Sequence, residues 1–427
     1  MTTPAHDDTS PPAATIVAER APETDEDKES LWLSTLVCRV SDPHKEQEGT
    51  QNAYISYLVS TESDFPAFQA RSFSVRRRFS DFVYLYHAIV RDHPACAVPP
   101  LPDKQRMEYI TGDRFGPEFT TRRASSLHYF LERVANHPIL RRAPVLVVFL
   151  ESQVWNSYMR SRPTKQLASA GESSGIFDGF SDVLVNAFAK LPKDKDDFVP
   201  AKQRADKLAD DVLHTDKVVT RLLKYEAEWE ADLSEFSNQF VKLAQLEPEM
   251  AAAFRVFADG VHGTEMALSQ MREAVETEYV VPLRDTENYV VSVKNLLKLR
   301  EQKQLDYEGL IDYLQKSTVE RNVLASGGGN GFLRSRVDDL RGVDHNVARV
   351  ERLRRLEARV EELTKSAEAA KELSQTLDKE VARDLVDFER IKTLEMKSTL
   401  GALAEEHIQF FQAMVEQWEK AIPELES

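Results

Sequence analysis

Three basic positions in the first third of the chain carry the residue types and spacing for phosphate chemistry. Arg76-Arg77-Arg78-Phe79 closes a β-like stretch, Lys104 follows Val98-Pro99-Pro100-Leu101-Pro102, and Arg122-Arg123 precedes an apolar helical stripe that begins at Leu127. Phosphate recognition needs cationic donors held in place, and an arginine fork bonds two oxygens at once. An arginine triplet alone reads as a solvated charge run. Here it is followed in order by a proline-rich loop with its lysine and by a helix opened by paired arginines. Two catalytic patterns are absent, since neither GxxxxGK[ST] nor HExxH occurs, and the ten histidines follow no metal-ligand spacing. Ser326-Gly327-Gly328-Gly329-Asn330-Gly331 lacks both a preceding strand and a Lys-Ser/Thr, so it reads as a turn and not as a phosphate cradle. We therefore expect no enzyme.

The elements that must position these residues are legible from periodicity. LWLSTLVCRV (31–40), QNAYISYLVS (51–60) and ARSFSVRRRF (70–79) are rich in β-branched and aromatic residues and are separated by polar turns. Phe82, Leu85, Tyr86, Ile89 and Val90 switch to helical spacing, as do Leu127, Phe130, Leu131 and Val134 before the stop at Asn136-His137-Pro138. Strands followed by helices make a small α+β domain over 31–153. A linker follows over 154–192, containing the stripe Ile176, Phe177, Phe180, Val183, Leu184, Ala187, Phe188 and Leu191. That stripe is either a core helix or an amphipathic surface helix. From 193 to 427 the chain reads as three long helices, about 200–245, 247–322 and 344–422. Pro282 lies inside the second and should kink it. The third carries a partial heptad seam, Leu353, Leu356, Val360, Leu363, Ala367, Ala370, Leu377 and Val381, and at 1.5 Å per residue is roughly 110 Å long. Such a seam on a rod implies a dimer.

Bulk composition agrees. The 427 residues are 30% charged with only 15 glycines, a balance that suits long helices. Of the net charge of −16, residues 1–30 hold −6 and read as a disordered acidic tail, while 31–153 hold +2, leaving −12 for the rest. A chain this acidic is not expected to bind nucleic acid. Two cysteines without a CxxC fit a reducing compartment. No signal peptide is read, and the longest apolar run, Ala143 to Leu150, falls far short of the ~20 residues of a spanning helix.

The stretches RRFSDFVYLY (77–86), VPPLPDK (98–104) and RRASSLHYFLERVANHP (122–138) resemble the PX family, in the family's order. The resemblance implies phosphatidylinositol 3-phosphate as ligand, with no cofactor. It assigns Arg78 to the 3-phosphate, Phe79 to the face of the inositol ring, Lys104 to the 1-phosphate and Arg123 to the ring hydroxyls. The family commonly has Tyr where Phe79 stands, so stacking survives and a hydroxyl is lost. Arg76, Arg77 and Arg122 are expected as solvated electrostatic support, and Leu101, Tyr109 and Ile110 as candidates to dip into the bilayer. The rod is similar to the BAR domain of PX–BAR sorting nexins. That likeness implies a homodimer or a heterodimer with another such protein. It also implies membrane insertion by Ile176, Phe177, Phe180, Leu184 and Phe188. The expected function is endosomal retrieval sorting and selective autophagy. The expected place is cytoplasmic, peripheral on endosomal and pre-autophagosomal membranes, with cargo proteins as partners. The alternative is a coiled-coil scaffold whose PX fold serves protein contacts. Basic residues on the rod (Lys294, Lys298, Arg300 and Lys303; Arg349, Arg352, Arg354, Arg355 and Arg359) are interleaved with Glu301, Glu351 and Glu357. They read either as a mixed-charge face or as a minor membrane contact.

Overall fold

A computed structural model describes residues 35–48, 53–102, 115–162, 198–326 and 345–426. The acidic tail, Lys104, Tyr109, Ile110, the 176–191 stripe and the glycine cluster at 327–331 lie outside the described residues.

Strands β1 (Leu36–Glu46), β2 (Tyr54–Ser63) and β3 (Ser72–Arg78) form an antiparallel sheet in the order β1-β2-β3. Val40 pairs with Val59 and Val59 with Val75, and all three are buried, so one face of the sheet looks onto the core. A bulge between Ser41 and His44 places Asp42 at a positive φ of 47°, next to Pro43. Helix α1 (Phe79–Asp92) begins directly at the end of β3, three residues earlier than the apolar spacing indicates. Helix α2 (Pro117–Asn136) carries Leu127, Phe130, Leu131 and Val134 into the core. The apolar run after Ala143 becomes α3 (Pro144–Glu151).

One difference from expectation falls at the start of the linker. Residues 155–161 form a helix, α4 (Trp155–Ser161), with Trp155 packed at 5.2 Å from Phe149 and 5.5 Å from Tyr84. A single buried tryptophan in a polar stretch has no periodicity to reveal it.

The rod consists of α5 (Val199–Leu246), α6 (Ala251–Val275) continued through a π turn (Glu276–Val280) into α7 (Val281–Ala325), and α8 (His345–Glu426). The bend expected at Pro282 takes the form of that π turn, in which Val281 N–H reaches back five residues to Glu276 O. The heptad seam requires correction. Leu363 and Ala367 pack on Leu310 of α7, and Leu377 and Val381 pack on Tyr289, Val293 and Leu297, all within the same chain. Among the apolar side chains left uncovered, two sets at the other end of the rod line up on helix faces. They are Leu222, Tyr225, Trp229 and Phe236 on α5, and Ile408, Phe411, Val415 and Ile422 on α8. Both sets repeat the intervals 3, 4 and 7, the stripe of a coiled-coil face.

The small domain is docked on the rod by buried polar contacts. Arg133 of α2 is 1% exposed and grips Glu395 of α8 through two hydrogen bonds of 2.7 and 2.5 Å. Arg390 donates to Asn136 O at 2.7 Å, and Ala97 joins the apolar cluster around Tyr289 and Phe388. No described helix is long and apolar enough to cross a membrane.

Candidate functional site

The end of β3 and the start of α1 set the geometry of the site. Arg78 is the N-cap of α1, and buried Asp81 accepts both its backbone N–H at 2.9 Å and its side-chain Nε at 3.3 Å. One carboxylate thus caps the helix and aims the arginine. The Arg78 guanidinium remains half exposed, 5.8 Å from the ring centre of Tyr54 on β2. Phe79 follows as the first residue of α1. Across from it, Arg123 of α2 sits between two rings, 4.5 Å from Phe79 and 4.2 Å from Phe119. Phe119 and Arg123 are four residues apart on one helical face, which is why they meet. Beneath them, burial pushes the Tyr57 phenol up to about 12 against the opposing charge of Arg123, so Tyr57 stays neutral. Phe79 also lines a cleft of about 390 Å³ with Pro100, Leu101 and Pro102, whose far wall is Asn288, Ser292 and Asn295 of α7.

The structure thus brings Phe79 and Arg123 together, sets Arg78 beside Phe79, and puts Leu101 half-buried on the same cleft. Lys104 and the insertion residues Ile176, Phe177, Phe180, Leu184 and Phe188 lie outside the described residues. Tyr54, Tyr57 and Phe119 were missed in the sequence. Only Phe119 had a signal there, its i, i+4 spacing to Arg123.

The neighbouring arginines correct the expectation of solvated support. Arg77 is buried and donates to Phe149 O at 2.9 and 2.6 Å and to Ser152 O at 2.6 Å. Burial depresses its pKa to about 10. It shares the inward face of β3 with Val75, two residues earlier, as the strand period requires. Arg76 points outward and pairs with Asp42. Arg122 pairs with Glu118 at 2.6 Å and reaches Glu276 of the rod at 3.6 Å.

The rod's basic residues are likewise largely paired within the chain. Lys294 bonds Asp206 at 2.5 Å, buried Arg300 bonds Asp378 at 2.5 Å, and Lys303 bonds Asp306 at 3.3 Å. Arg352 bonds Glu320 at 2.6 Å, Arg355 pairs with Glu351, and Arg359 meets the Tyr313 hydroxyl. This is the mixed-charge face.

Cys96, His137 and Asp384 gather their side-chain heteroatoms within 4.8 Å of one another at the domain junction. His137 Nδ1 accepts the Ile139 and Leu140 N–H groups at 3.3 Å each, so Nε2 carries the proton and donates to Asp384 Oδ1 at 2.9 Å. Asp384 Oδ2 accepts Ala97 N–H at 2.8 Å, and burial raises the Cys96 thiol well above its ordinary pKa. Every imidazole nitrogen and carboxylate oxygen is engaged, so the cluster works as a tie between domains.

A family model for the PX domain matches residues 65–153, which include Arg78, Phe79 and Arg123. Sorting nexin-4 of Emericella nidulans is 47% identical over 429 residues, spanning 97% of this chain and 88% of that protein. Sorting nexin-4 of Gibberella zeae is 50% identical over 406 residues, spanning 94% and 88%. The chain belongs to the sorting nexin-4 family. Among solved structures, the SNX-BAR protein Mvp1, determined as a tetramer by cryo-electron microscopy, is similar in fold. It aligns with a TM-score of 0.55 at 16% identity, over 90% of this chain and 99% of that one. This sorting nexin is therefore a PX domain followed by a helical BAR domain. It is a non-enzymatic, membrane-associated adaptor.

Proposed function

We propose that this sorting nexin binds phosphatidylinositol 3-phosphate in the Arg78–Phe79–Arg123 cup, dimerises through its rod and serves endosomal retrieval and selective autophagy. One observation carries the headgroup reading. The Arg123 guanidinium lies on the ring of Phe79, the Arg78 guanidinium one residue before Phe79 stays half exposed, and the Asp81 carboxylate beside it is spent on the helix cap. Such a cup suits an anionic ring with an apolar face, with Arg78 toward the 3-phosphate, Arg123 toward ring hydroxyls, and Lys104 toward the 1-phosphate.

The dimer reading draws on the uncovered stripes of α5 and α8, where Trp229 lies 6.4 Å from Phe410, joining the two helices at that end of the rod. The partner is a second copy or another PX–BAR sorting nexin. For the 176–191 stripe, the same reading assigns insertion of Ile176, Phe177, Phe180, Leu184 and Phe188 into the bilayer. Each buried Phe contributes on the order of 1.5–3 kcal/mol, a term that salt does not weaken.

Vesicle flotation tests the proposal. Binding should require phosphatidylinositol 3-phosphate at moderate salt, and Phe177→Glu with Phe180→Glu should reduce it. Equal flotation on vesicles without that lipid would favour a scaffold whose PX fold serves only protein contacts.

A further inference from the structure

The run from α6 into α7 is interrupted by a π turn, and the PX domain sits on the interruption. The π turn Glu276–Val280 leads straight into Pro282, which brings no N–H. A donor at 282 would serve the carbonyl of Glu278 in α register or that of Thr277 in π register. Those two carbonyls are the ones α2 reaches. Ser125 Oγ donates to Thr277 O at 2.8 Å, and the Tyr129 hydroxyl donates to Glu278 O at 3.3 Å. One turn further along α2, Arg133 donates to Pro282 O at 3.2 Å while holding Glu395 of α8. Thr286 closes the set, donating to Pro282 O at 2.9 Å and reaching Glu395 Oε1 at 3.3 Å.

Residues 125, 129 and 133 are four apart, so one face of α2 presents a hydroxyl, a phenol and a guanidinium in step with three acceptors on the broken helix. Their protonation suits the task. Burial, reinforced by Glu132 and Glu395, lifts the Tyr129 phenol far above its ordinary pKa and keeps it a donor. Burial works against the Arg133 charge, but Glu395 and its hydrogen bonds outweigh it and hold the guanidinium protonated.

We infer that the PX domain is a splint for the rod. By taking the carbonyls around Pro282 it fixes the bend there, so the curvature the rod presents depends on PX docking. The lever is long: α7 runs 45 residues, about 68 Å, and a bend of ~5° moves its far end by ~6 Å.

The test uses the full chain without lipid, so it stands apart from the headgroup reading. Ser125→Ala with Tyr129→Phe removes both hydroxyls and leaves Arg78, Phe79 and Arg123 in place. Amide hydrogen exchange over 276–286 should quicken by about two- to tenfold for each bond lost, while 36–63 keeps its protection. Small-angle scattering should show a broadened distribution of long distances. Unchanged exchange over 276–286 overturns the inference. Should protection over 36–63 collapse as well, the variant has unfolded the domain, and Pro282→Ala decides. That change supplies an in-helix donor for Glu278 O, so displaced Tyr129 should quicken exchange over 123–134. Exchange there that matches wild type overturns the inference.

Discussion

In the PX domain Phe82, Phe130, Phe149 and Trp155 are at most 2% exposed and stack edge to face, whereas on the rod Tyr225, Trp229, Phe236 and Phe411 are 44–58% exposed. The residue types are the same; the difference is enclosure. A sheet with helices over one face wraps an aromatic cluster on all sides. Three helices laid lengthwise cover only the faces that meet, and the outward stripes of α5 and α8 stay exposed. The junction between the two regions is different again. Buried there are charges and polar groups, Arg133 with Glu395 and His137 with Asp384. Polar pairs of this kind contribute little net affinity but tolerate only one register, so they suit a joint whose geometry matters.

The uncovered stripe should give the largest effect. Phe411→Glu with Val415→Glu should leave the protein monomeric at micromolar concentration in light scattering, where the proposed assembly makes the wild type a dimer. Losing several apolar contacts of about 1.5–3 kcal/mol each weakens association by at least ~10³-fold. Leu363→Ala with Val381→Ala sharpens the contrast. These residues pack within the chain, so the melting temperature should fall, by about 2–5 kcal/mol of stability for each large truncation, while the mass stays dimeric. A monomer from the second pair and a dimer from the first would reverse the assignment of the two faces.

At the junction, Arg133→Leu strands the Glu395 carboxylate and should cost about 3–5 kcal/mol in denaturant unfolding. Adding Glu395→Leu should return much of that loss. A double variant as unstable as the single would show that the pair does not act as a unit.

Arg78→Ala should lower affinity for phosphatidylinositol 3-phosphate vesicles by about ten- to more than a hundredfold, the loss of ~1.5–3 kcal/mol of charge-assisted bonding. Its melting curve should match wild type, because the Arg78 N–H remains to bond Asp81. Arg77→Ala should do the opposite, destabilising the domain by stripping three buried carbonyl contacts.

The smallest effect expected is on pH. Burial holds His93 and His128 below the ordinary imidazole value of 6.5. As pH falls through that value the unfolded chain takes up protons before the folded one does, so stability present at neutral pH declines on acidification. The melting temperature should be lower at pH 5.5 than at pH 7.5, and His93→Gln should flatten the slope.

Local pattern made much of this legible. The rod helices begin and end within a few residues of where Pro200, Pro282 and the glycine cluster punctuate the apolar period. Arg78, Phe79 and Arg123 were picked out by the resemblance of three ordered stretches to the PX family, and the fold brings Phe79 and Arg123 together. Less was legible where the outcome hung on a distant partner. The inward turn of Arg77 followed from the alternation with Val75, yet only the carbonyls of Phe149 and Ser152, over seventy residues on, make a buried guanidinium tolerable there. Arg133 and Glu395 are separated by 262 residues. Nothing in either one's neighbourhood marks it as half of a pair.

The heptad seam shows the division most plainly. Periodicity by itself determined that one face of α8 is apolar, since the 3.6-residue turn places Leu363, Ala367, Leu377 and Val381 in line. Whether that face meets another copy or the chain's own α7 was decided only by the packing of α7 against α8. A helical repeat encodes which side of a helix avoids water. It carries no information about what will cover that side, because apolar contact is non-directional and any complementary stripe serves.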